Sequence, residues 1–272
     1  MRHLFITIAT AVAFMAGCTR EADFTAIENA VTRSFTASFA SDDTRTEYKG
    51  EGKIEWAAGD VVRYYSYDGG GVGSHTVTEA GRTAEIEVEL GGRSSYLVAE
   101  VGGSGIKAGT SASMTVTGAM SSSQDGSFGS AHLAVAKVTD MSSTSLSFAT
   151  PGAIVKFALD RTDIGSVQFR AMGGETICGD ADITVSWENG TPVASASAGK
   201  SAVKVEAGGA GTYFFSVIPG TLSKGFRIDC YDARENLVGS TSYSSPVTLA
   251  ANEMLNLGTL DSRLKKSISS EQ

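Results

Sequence analysis

Proline and histidine are scarce in this sequence, and each scarcity removes a class of protein. Four prolines among 272 residues rule out a proline-rich disordered chain. The three histidines, His3, His75 and His132, stand apart, so none pairs at zinc-ligand spacing. Three cysteines, Cys18, Cys178 and Cys230, form no C-x-x-C unit. Positive charge is in deficit: 22 Lys and Arg against 30 Asp and Glu give a formal net charge of −8. With no basic patch along the chain, electrostatics offer nucleic acid no general attraction. The apolar run 4–16 is too short for a bilayer-spanning helix, which needs ~20 residues. No amphipathic helix of useful length and no solenoid-type repeat is present.

Catalytic patterns are equally thin. Ser201-Ala202-Val203-Lys204 matches a bare S-x-x-K, but the SDN and KTG partners are missing and the motif sits on an alternating strand. Gly208-Gly209-Ala210-Gly211 lacks the Lys-Ser/Thr of a phosphate loop and precedes a strand where such a loop opens a helix. Asp180 and Asp182 share one strand face, yet two carboxylates fall short of the six to eight oxygens calcium takes. The sequence reads as a non-enzyme, without cofactor or metal.

What is abundant is glycine, 32 of 272 residues or about 12%, against a usual ~7%. Together with Ser and Thr it punctuates short alternating apolar runs, the signature of many strands and turns. The stretch 44–67 sets the pattern. Ile54 and Trp56 alternate with polar residues, Ala58-Gly59-Asp60 supplies turn chemistry, and 61–67 is rich in β-branched and aromatic residues, so a hairpin beside a core tryptophan is expected. In 34–40, Phe35, Ala37 and Phe39 fall on one face and Ser34, Thr36 and Ser38 on the other. In 83–90, Ala84, Ile86, Val88 and Leu90 point inward and Glu85, Glu87 and Glu89 outward, where the acids form a solvated face that discourages edge aggregation. Asp68–Ser74 and the Ser/Gly-rich 121–130 read as loops. Strands are expected also at 95–101, 113–117, 133–138 and 145–149. After Thr150-Pro151-Gly152 the pattern restarts at 153–159 and recurs about every ten residues to 254–260. The fold class is therefore all-β, with two β-sandwich domains in series, 34–150 and 151–261, and a polar tail 262–272.

Residues 1–17 read as a signal peptide that ends Met15-Ala16-Gly17 before Cys18. Small residues ahead of a cysteine resemble a bacterial lipobox, making Cys18 the lipidated first residue of the mature protein and 18–33 a tether. In an exported chain Cys178 and Cys230 can pair; the favoured reading is two small buried hydrophobes on separate strands. Trp56 and Trp187 share faces with apolar neighbours and are expected in the core rather than on sugars. Tyr64, Tyr65 and Tyr67 cover both faces of one strand, so at least one is expected to be exposed.

The Thr44-Arg45-Thr46 segment, Trp56, Gly59-Asp60 and the aromatic strand after them resemble the fimbrillin family of Bacteroidales. Phe215-Ser216-Val217-Ile218-Pro219-Gly220-Thr221-Leu222 with Gly225-Phe226-Arg227-Ile228, and the closing Met254-Leu255-Asn256-Leu257-Gly258-Thr259-Leu260, are similar to that family's late strands. The likeness runs from about 34 to 261. It implies transthyretin-like sandwiches, export as an outer-membrane lipoprotein held by the lipid on Cys18, and assembly with other fimbrial subunits, self or paralogous, by β-strand exchange at the cell surface. It also implies an arginine-specific protease that removes an N-terminal strand. Arg45 and Arg33 are the candidate cleavage points. Arg45 is preferred because it follows the strand 34–40 and would release it, whereas Arg33 precedes it. Phe35, Ala37 and Phe39 would then vacate pockets, and Leu255 and Leu257 on 254–260 are the candidate donor residues. The alternative is a non-polymerising surface lipoprotein that binds glycan or host protein.

Overall fold

A computed structural model of the chain describes residues 30–40, 55–67, 71–179 and 182–265. The signal segment, Cys18, Arg45, Ile54 and Asp180 lie outside the described residues. Every described element of length is a strand; the exceptions are a four-residue helical turn, Phe128–Ala131, and a 3-10 turn, Asp261–Arg263.

Two sheets enclose the first core. One has Val31–Phe39 at its centre, parallel to Ser145–Phe148 and antiparallel to Thr83–Leu90. The other runs Val72–Thr76, Val61–Ser66, Leu97–Val101, Ala134–Val138, antiparallel throughout. Their inward residues, among them Phe35, Ile86, Leu97, Leu146 and Phe148, pack with Trp56 into one apolar cluster. Thr83–Leu90 alternates as expected, all four apolar residues buried and all three glutamates exposed. A second core lies between Gly211–Val217, Ala153–Leu159, Met254–Thr259 and a five-stranded sheet, Leu237–Tyr243, Phe226–Tyr231, Ser166–Ala171, Ala202–Glu206, Ser123–Gln124. Cys178 and Cys230 are both buried there and are not bridged to each other, and burial pushes the Cys230 thiol up to about 12.

A further sheet takes strands from both sides of Thr150. Thr191–Ser195 and Asp182–Glu188 continue onto Ser113–Thr117 and Gly105–Gly109. Its apolar face, Ile183, Val185, Met114 and Val116, covers Val98 and Val135 on the outer side of the second sheet. That sheet is consequently covered on both faces, and Leu97–Val101 is buried at all five positions, a continuous run that single-face alternation does not anticipate.

Several local expectations change. The first strand starts at Val31 because Val31, Thr32 and Arg33 pair with Leu90, Glu89 and Val88. Trp56 makes an isolated bridge to Gly81 instead of a hairpin with 61–67. The turn chemistry is nonetheless present: Gly59 has φ of 98°, and the Asp60 carboxylate accepts the Ala57 N–H. Val72–Thr76 is a strand where the glycines suggested loop, since Val61–Tyr65 supplies its hydrogen-bond partners. Trp187 is only half-buried, its ring covered by the Lys137 ammonium at 4.8 Å from the centroid. Asp182 is paired with Lys107 at 2.6 Å.

Candidate strand-exchange site

Alternation places Arg33, Phe35, Ala37 and Phe39 on the inward face of the first strand, with Thr32, Ser34, Thr36 and Ser38 outward. Phe35 and Ala37 are completely buried. Phe35 sits beside Ile86, Ala37 between Ala84 and Leu146, and Phe39 beside Phe148. Phe39 also meets the rings of Trp56 at 4.6 Å and His132 at 5.6 Å. Trp56 pins the strand from the core: its Nε1–H donates to the Ala37 carbonyl at 3.1 Å. On the outer face the Thr36 hydroxyl donates to Glu85.

Arg33 lies inside the paired strand. Its guanidinium donates to the Met141 carbonyl and stands over the Phe35 ring at 5.6 Å. A chain cut after Arg33 would keep Ser34–Phe39 in the sheet. A cut between 41 and 54 would free the whole strand, and Arg45 falls in that interval.

Because the strand is central, its loss would leave two unpaired edges, Thr83–Leu90 and Ser145–Phe148. They would stand about 10 Å apart, twice the usual interstrand spacing. The sequence gives no signal for this geometry. Leu146 and Phe148 join the site through a parallel pairing across more than a hundred residues of chain, which local periodicity cannot report.

At the far end of the strand His132 is 1% exposed, stacked on Phe128 at 5.2 Å, and neither ring nitrogen has a hydrogen-bond partner among the described residues. Desolvation drives its pKa down to about 3. It lines a polar cleft of about 260 Å³ with Asp60 and Arg63. Arg63 reaches the wholly buried Glu100 at 3.4 Å. Burial pushes the Glu100 carboxyl up, opposed by the Gly103 N–H and by Arg63.

Leu255 and Leu257 lie elsewhere. Met254–Thr259 forms an edge strand parallel to Ala153–Leu159, with Leu255 beside Val155 and a bulge before Thr259. Both leucines pack half-buried on the second core and line a groove of about 360 Å³ with Phe226, Ile228, Tyr243 and Val247. The strand is therefore at home in this state. Leu257→Asp is expected to cost about 1–3 kcal/mol, because it places a carboxylate against apolar neighbours; an unchanged melting curve of the monomer would show the contact to be dispensable.

Of the three tyrosines, Tyr64 is buried, Tyr65 half-buried, and Tyr67 is 48% exposed and stacked on Tyr96 at 5.4 Å. Among the described residues no group of three or more His, Cys, Asp or Glu is placed to hold a metal. No described helix is long and apolar enough to cross a membrane.

The sequence matches no protein-family profile and no curated protein. Its structure, however, is similar to solved ones. A candidate cell adhesion protein of Bacteroides uniformis superposes with a TM-score of 0.52 at 13% identity, over 87% of this chain and 95% of that one. A candidate cell adhesion protein of Bacteroides ovatus gives 0.51 at 10% identity, over 88% and 96%. A fimbrial assembly protein of Parabacteroides distasonis aligns over 84% and 90% at 9% identity, with a TM-score of 0.42. At these identities the first two establish a shared fold across nearly the whole chain.

Proposed function

We propose that the chain is a fimbrillin-type subunit of a surface fimbria or adhesin assembly, joined to other subunits by β-strand exchange. One observation carries this reading: Val31–Phe39 is the middle strand of its sheet, and it is followed by the segment 41–54, where a single cut would detach it. A strand so placed can be replaced only by another strand, because both neighbours otherwise expose rows of unpaired N–H and C=O groups. The fold shared with the two Bacteroides candidate cell adhesion proteins supports a role at the cell surface. In this reading residues 34–150 and 151–261 form two transthyretin-like sandwich units, and the second lends its 182–195 hairpin to strand 113–117 of the first.

The reading includes export with removal of 1–17, a lipid on Cys18 that holds the protein at the outer membrane, and an arginine-specific protease acting at Arg45 in preference to Arg33. Intact-mass analysis of the surface protein tests it. A terminus at Thr46 and loss of polymer in Arg45→Ala are the expected results. A terminus at Cys18 in every surface form would overturn processing. Cys18→Ser is expected to abolish fatty-acid labelling and membrane retention; label persisting in the variant would sink the lipid assignment.

A second reading, a non-polymerising lipoprotein that binds glycan or host protein, draws on the exposed Tyr67 ring stacked on Tyr96. A Cys18 terminus combined with lost glycan or host binding in Tyr67→Ala would favour it.

A further inference from the structure

We infer that the groove under the first strand selects its occupant by size, and that the occupant is a strand of another protein rather than this chain's own C-terminal strand. The inference rests on the reading of Val31–Phe39 as exchangeable. The resident strand is a cast of the groove. Its inward residues run cation, aromatic, small, aromatic, at Arg33, Phe35, Ala37 and Phe39.

The small place is fixed by its surroundings. Ala37 has no exposed surface, is flanked in register by Ala84 and Leu146, and has its carbonyl held by the Trp56 indole at 3.1 Å. A larger side chain there must displace the tryptophan, Leu146 or the strand backbone, and close-packed interiors resist such shifts. The two flanking places demand bulk. Phe35 is fully buried beside Ile86, and Phe39 completes a ring cluster with Trp56, His132 and Phe148. The first place favours a cation, since the groove presents the Met141 carbonyl there, and an aromatic at the occupant's own second place lies under that cation as Phe35 lies under Arg33.

The segment 251–261 fails this pattern in every register and in either direction. With Leu255 and Leu257 inward, either a leucine falls at Ala37's place or Glu253 or Asp261 falls at one of the three buried places. A buried, unpaired carboxylate there is strongly disfavoured. With the opposite face inward, Asn252 or Asn256 enters the buried row, or a glycine replaces Phe35. The leucine spacing that makes this segment look like a donor is thus the feature that excludes it. The partner that fits is an extended segment of the form cation–x–aromatic–x–small–x–aromatic, with polar residues between.

The test uses the full-length chain carrying a sequence-specific protease site within 41–54, nicked there so that the resident strand is held only by non-covalent contacts. Fluorescent peptides are added in excess and their entry is followed by anisotropy and native gel. The peptide of residues 30–40 is expected to exchange in. Its Ala37→Leu form and the peptide of residues 251–261 are expected to bind about 10- to 100-fold more weakly, the range that overpacking a core implies. Entry of the 251–261 peptide as readily as the 30–40 peptide, or of the Ala37→Leu form without loss, would overturn the size rule while leaving strand exchange intact. Failure of even the 30–40 peptide to enter would overturn exchange itself and the inference with it.

Discussion

Trp56→Ala is expected to lower stability by about 3–5 kcal/mol, the usual penalty for emptying a large aromatic site. For a domain of this size that corresponds to a fall in Tm of roughly 10 °C or more. Three contacts are lost together. The ring leaves Phe39 and Phe148, at 4.6 and 5.4 Å, and the Nε1–H no longer meets the Ala37 carbonyl. The side chain is 1% exposed, so a void replaces it and no water-facing alternative is at hand. Because two of those contacts are to the first strand, the damage should be local as well as global. Hydrogen exchange at Phe35–Phe39 amides is expected to accelerate more than at Phe157 or Phe215 in the second core. Trp56→Phe separates the terms: it keeps most of the packing, removes the hydrogen bond, and should cost about 1 kcal/mol. A Trp56→Ala protein that melts within a degree or two of wild type would show that the ring does not hold the strand.

Acid is expected to loosen the same end of the molecule. The buried His132 has its pKa depressed to about 3, against an ordinary value near 6.5. A base whose folded pKa lies below its unfolded value keeps the native state fully stable above the unfolded value. That stability is lost as pH falls through the window between 6.5 and 3. Between pH 7 and pH 4 the loss from this one group is about 3 kcal/mol. The charged groups facing it from its surroundings are Asp60 and Arg63, with Glu100 behind Arg63. Exposed carboxylates with depressed pKa values, such as Asp163 beside Arg161 and Asp182 beside Lys107, add acid sensitivity of their own. The informative quantity is therefore the difference between wild type and His132→Phe, which keeps an aromatic ring between Phe128 and Phe39. Wild type should lose stability more steeply than the variant from pH 6.5 downward. Parallel pH profiles would mean that His132 is solvated in the native state or stays neutral in the unfolded one.

The sequence alone determined the class of the protein and much of its first core. Strict alternation in 83–90 and 34–40 can be satisfied only by strands with one buried face, and the structure buries Ile86, Val88, Phe35 and Ala37 accordingly. Trp56 as a core residue and the two cysteines as buried thiols were also legible, because large apolar and small soft side chains gain most from leaving water. What the sequence could not carry was pairing between distant segments. Leu97–Val101 is buried throughout, Glu100 included, because strands from both halves of the chain cover its two faces, a fact that resides in the 113–117 to 182–188 ladder. The place of Val31–Phe39 at the centre of its sheet depends on a parallel partner at 145–148, and the rejection of a leucine at Ala37 depends on Ala84, Leu146 and Trp56 converging there. Periodicity records which face of a strand is buried. Which strand lies beside it, and how much room remains between them, is decided by non-local contacts whose closure no local pattern encodes.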